Sequence, residues 1–89
     1  MDEANGSGMR SYLVEVYQPR ADAGAAAARA RSAADAVSRA GTPVRYVRSI
    51  FVPDDETCFH VFESSSKEAV LAATERAAFA FPRIAEAVA

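Results

Sequence analysis

The stretch VRYVRSIFVPDDETCFHVFE, residues 44–63, decides the fold. Val44 to Val52 is rich in β-branched and aromatic residues, the composition of a strand, and Glu56 to Glu63 reads the same way. Only Pro53-Asp54-Asp55 separates them, and these are turn-forming residues. So short a connection makes the two strands neighbours running in opposite directions, an antiparallel hairpin.

Working outward, Gly41 and Pro43 are the stop signals of a helix that opens at Asp22 and runs to about Ala40. Ala26, Ala30, Ala33, Val37 and Ala40 recur along it at three- and four-residue steps. Arg31, Asp35 and Arg39 share another face, where each i,i+4 pair adds about 0.2–0.5 kcal/mol. Before this helix, Arg10 to Tyr17 (RSYLVEVY) is a strand that Pro19 ends. Downstream of the hairpin, Ser65-Ser66-Lys67-Glu68 fits a capping box and predicts a second helix to about Ala78 that buries Val70 and Ala73. Phe79-Ala80-Phe81-Pro82 breaks it, and the segment from Arg83 to the end reads as a last edge strand in preference to a helical turn. Met1 to Gly8 reads as a flexible leader, with residues 9–89 a single domain.

The order β-α-β-β-α-β is the split βαβ arrangement. It predicts an α+β, ferredoxin-like sandwich: a four-stranded antiparallel sheet, strands 1 and 3 at its centre, and two helices on one face. The other face is left bare. An 89-residue chain buries roughly 60% of its unfolded surface and needs reinforcement. Cys58 is the sole cysteine, so no disulfide can form within the chain. Self-association across the bare face is the expected solution, a homodimer.

Composition narrows the partners. Asp2 and Glu3 account for the whole net charge of -2, and the rest of the chain balances ten basic against ten acidic side chains. A neutral body offers no footprint for nucleic acid and no attraction to anionic membranes. No apolar run approaches the roughly 20 residues that span a bilayer, and the acidic, polar start is not a secretory signal. A lone thiol suits a reducing compartment, which makes the cytoplasm the expected location.

Alternation along the strands distributes the candidate residues. Tyr12, Val14 and Val16 are expected against the helices, with Leu13, Glu15 and Tyr17 outward. Val47 and Phe51 are expected inward, with Tyr46, Arg48 and Ile50 outward. Phe59 and Val61 suit the helix side, leaving Cys58, His60 and Phe62 on the bare face, which Ile84, Glu86 and Val88 would join. Glu15, Tyr46, Arg48 and His60 are thus the candidate ligand contacts. In one reading they satisfy one another at a dimer interface. In the other they line a pocket where His60 is acid, base or ligand contact and Glu15 orients it. Cys58 and His60 lie about 6.6 Å apart along one side of a strand and could reach one metal ion. A structural site wants four ligands, so Glu15, Glu86 or a second subunit would have to complete it. Cys58 activated by His60 is a possible nucleophile in type, although no cysteine-enzyme signature surrounds it. No Gly-rich phosphate loop, Walker sequence or paired CxxC is present.

From Tyr12 to Val88 the chain resembles a family of small bacterial proteins of unknown function with a ferredoxin-like fold. The resemblance rests on Tyr12-Leu-Val-Glu15, Val44-Arg-Tyr-Val-Arg-Ser49, Thr57-Cys-Phe-His-Val-Phe-Glu63 with the Ser-Ser-Ser-Lys-Glu-Ala-Val70 that follows, and Phe81-Pro-Arg-Ile84. It implies a dimer, and it implies nickel as a ligand, because the family includes a nickel-binding member implicated in metal sequestration. Many relatives carry histidine where Arg48 stands and cysteine where His60 stands, so this chain has a single imidazole to offer. His60, Cys58 and Glu15 are the metal candidates that carry over. The expected function is a non-enzymatic homodimer binding a small ligand or a transition metal at the open sheet face, with no other cofactor. The alternatives are a cofactor-independent enzyme with His60 as general base and a purely structural interaction module.

Overall fold

The computed structural model describes residues 8–88, so the expected leader lies, apart from Gly8, outside the described residues. Its strands are β1 (Arg10–Tyr17), β2 (Val44–Val52), β3 (Thr57–Ser64) and β4 (Arg83–Ala87), and its helices are α1 (Ala23–Arg39) and α2 (Lys67–Arg76). The sheet has the order β2-β3-β1-β4 and every neighbouring pair is antiparallel. This is the ferredoxin-like α+β fold, and the C-terminal segment is its edge strand.

Both helices lie on one face. Alanine makes the contact close: Ala26, Ala30, Ala33 and Ala34 of α1 are buried, and Ala69, Val70, Ala73 and Thr74 of α2 meet them over the sheet. Tyr12, Val14 and Val16 of β1 form the floor, as the alternation predicts. Each large apolar side chain taken from water there adds roughly 1.5–3 kcal/mol. Asp22 stands at the start of α1 but its carboxylate makes no capping bond; the chain enters through a 3-10 turn, Arg20–Asp22. The α2 cap falls one residue later than the capping box places it. Ser66 Oγ accepts from the Ala69 amide at 3.1 Å, so Ala69, not Glu68, stands third in the helix. No helix among the described residues is long and apolar enough to cross a membrane.

Three strands depart from the expected facing. On β3 the assignment is inverted, because Phe62 pairs with Tyr12, His60 with Val14 and Cys58 with Val16. Directly paired residues share a face, so Cys58, His60 and Phe62 lie under the helices while Phe59 and Val61 face outward. On β2 a bulge between Tyr46 and Arg48 switches the parity partway along. Beyond it the expectation holds for Arg48, Ile50 and Phe51; before it Tyr46 pairs with Phe62 and joins the covered face. On β4 Ile84 pairs with Val14 and Glu86 with Tyr12, so neither belongs to the open face.

Candidate functional site

β3 carries the imidazole into the interior and β2 supplies what holds it. His60 is wholly buried between the sheet and the helical layer. Its Nδ1 lies 2.6 Å from Ser49 Oγ, the directly paired residue on β2, and Ser49 Oγ lies 2.7 Å from the Tyr46 hydroxyl. Cys58 Sγ approaches the same Nδ1 at 3.9 Å. The bulge makes this chain possible, because it puts Tyr46 and Ser49 on one face despite their odd spacing.

The other ring nitrogen has no such provision. Nε2 of His60 is buried and hydrogen-bonds to nothing among the described residues. The ring stacks on Phe79, centroids 4.6 Å apart and planes 5° from parallel. On Phe79 in turn rests the Arg29 guanidinium, 5.4 Å from the ring centroid. Arg29 is fixed by its Nε–H, which donates to the Ala77 carbonyl at 2.9 Å, tying α1 to the end of α2. Burial lowers the His60 pKa from 6.5 to about 4, with the Arg29 charge adding to it, so the imidazole is neutral at physiological pH. Burial also pushes the Cys58 thiol up, against a smaller opposing effect of the Ser49 hydroxyl.

Beside this stack opens a cleft of about 260 Å³, lined by Val16, Gln18, Asp22, Arg29, Ala78 and Phe79 among others. Phe79 is shared: it stacks on His60 and walls the cleft. Phe79 belongs to a tight turn after α2, in which Ala78 has φ 61° and Phe81 has φ 49°.

The expected site residues are therefore split. His60, Cys58 and Tyr46 come together, but on the covered side of the sheet. Glu15 is on the open side, where its Oε1 accepts from Arg83 Nη1 at 3.3 Å. Arg48 is exposed on that side too, paired with Val61 across the sheet. The cavity expected from Glu15, Arg48 and His60 together does not form. Metal donors are divided the same way: among the described residues no three of His, Cys, Asp and Glu come together where an ion could be held. Ser49, Phe79 and Arg29 escaped sequence reasoning. A clue to Arg29 was present, as a cation set into a run of alanines on a helix, but nothing local pointed it at Phe79.

Comparison with known proteins places the chain more broadly. A family model described as nickel responsive protein SCO4226-like matches residues 12–87. No curated protein and no solved structure matches.

Proposed function

We propose, from the premise that this chain belongs to the SCO4226-like family of nickel responsive proteins, that it is a non-catalytic domain that binds a small organic ligand and works paired with a second copy of itself. The observation that carries this reading is the buried, unpartnered Nε2 of His60, one aromatic ring away from a cleft. An orphaned buried ring nitrogen costs about 1–3 kcal/mol, and a bound molecule that reaches it recovers that cost. Base catalysis is the poorer reading. An imidazole with a pKa of about 4 is a weak base at neutral pH.

Nickel itself is a poor fit to the donors. Cys58 and His60 are two, the thiol is held protonated by burial, and Glu15 is across the sheet. In this reading the domain takes part in a nickel response through its organic ligand and its pairing, without a metal centre of its own. A titration with nickel alone, followed by NMR, decides between the two. The expected result is no selective broadening of the His60 ring or the Cys58 resonances at one equivalent. Stoichiometric broadening of both, lost in His60→Ala, would replace the organic ligand with the metal.

A further inference from the structure

Phe79 occupies a slot. Its ring is parallel to His60 on one side, at 4.6 Å, and carries the Arg29 guanidinium at 5.4 Å. The slot has the chemistry of a recognition site for a planar ring bearing negative charge. A flat imidazole provides a stacking surface, and a guanidinium can meet a carboxylate through a two-pronged fork. Arg29 has that fork to give, because its bond to Ala77 uses Nε alone among the described residues.

The occupant is carried by a turn that holds backbone strain. After α2 the Phe79 amide donates to the Thr74 carbonyl at 3.2 Å and the Ala78 amide to Glu75 at 3.1 Å. That pattern places Ala78 at the left-handed position normally given to glycine, where its Cβ costs on the order of 1 kcal/mol. Three residues on, Phe81 is left-handed as well and its side chain is almost fully exposed, so its ring adds no packing to the segment. The cleft beside it, about 260 Å³, has space for a single-ring molecule at the mouth of the slot.

We infer that the slot between His60 and Arg29 is the binding site for a planar organic anion of the aromatic carboxylate class, with Phe79 as the internal stand-in that the ligand displaces. This rests on the reading of the domain as a small-ligand binder and names the class it takes. Arg29 holds the carboxylate, His60 stacks on the ring, and Asp22, which lines the same cleft, selects against ligands with a second negative group.

Benzoate is the probe and cyclohexanecarboxylate the non-planar control, followed by NMR on the His60 and Phe79 rings. In wild type, benzoate is expected to shift both ring signals at millimolar concentration, and the control is expected to bind at least tenfold more weakly. Phe79→Ala empties the slot and should tighten benzoate binding at least tenfold. Arg29→Gln should weaken it at least tenfold in either background. Equal binding of the two acids, or binding indifferent to Arg29, overturns the inference. If Phe79→Ala fails to fold, the wild-type and Arg29→Gln titrations decide alone. No benzoate binding, with nickel also silent, rejects the ligand class and leaves the small-ligand reading standing. Nickel binding at His60 removes both.

Discussion

His60 is the residue on which the interior turns. It is large, polar and wholly buried, yet only one of its two nitrogens is satisfied. Burial sets its charge first and the groups facing it add to that: Arg29 beyond Phe79 repels a proton, Cys58 is a protonated thiol, and Ser49, backed by Tyr46, offers a neutral hydroxyl. A folded pKa of about 4 against the ordinary 6.5 fixes the direction of the linkage. Above pH 6.5 the imidazole is neutral folded and unfolded, and the site leaves stability independent of pH. As pH falls from 6.5 towards 4 the unfolded chain takes up a proton that the folded chain refuses, and stability is lost. The expected loss by pH 4.5 is about 2 kcal/mol, discounted for the nearby cleft. Urea unfolding at pH 7 and 4.5 measures it, with His60→Phe as reference. An equal acid slope in the two proteins would assign the effect to carboxylates elsewhere.

At the scale of elements, the two helices end by the same device with different residues. After α1 the Gly41 amide donates to Ser38 and that of Thr42 to Val37, with Gly41 at φ 119°. After α2 Ala78 and Phe79 repeat the pattern, but alanine takes the glycine position at φ 61°. Ala78→Gly is therefore expected to stabilise the domain by about 0.5–1 kcal/mol, raising Tm by roughly 3–6 °C. Thermal unfolding checks it, and a lowered Tm would mean that the turn carries no strain. The elements themselves were legible from the chain. The three-and-four spacing of alanines from Ala26 to Val37, the stop at Gly41 and Pro43, and the hairpin around Pro53 all reappear in the fold. The bulge after Tyr46 was not legible, because an extra residue in a strand leaves no mark in its composition. It moved Tyr46 into the interior and aligned it with Ser49.

For the whole molecule the open face of the sheet is the surface that the helices leave uncovered. Leu13, Phe59 and Val61 are half-buried there, Ile50 is 45% and Tyr17 69% exposed, and the ion pairs Glu15–Arg83 and Arg45–Glu63 flank them. A greasy strip edged by charge on so small a body is the kind of surface that a second copy covers. Sedimentation at micromolar concentration is expected to give a dimer, and Phe59→Lys, which puts an ammonium on a central strand of that face, a folded monomer. A wild-type monomer at that concentration would refute the pairing.

What the amino-acid order settled by itself was the list of elements and their sequence along the chain, since hydrophobic period, caps and turn residues act over a few neighbours. From that list the four-stranded sheet with two helices on one face follows. Which side of the sheet holds the candidate site was decided by tertiary pairing. On β3 both alternating sets are apolar enough to be core, Phe59 and Val61 against Cys58, His60 and Phe62. A strand with two such faces carries no local preference, and only its register against Tyr12, Val14 and Val16 turned His60 inward, away from Glu15 and beneath Phe79.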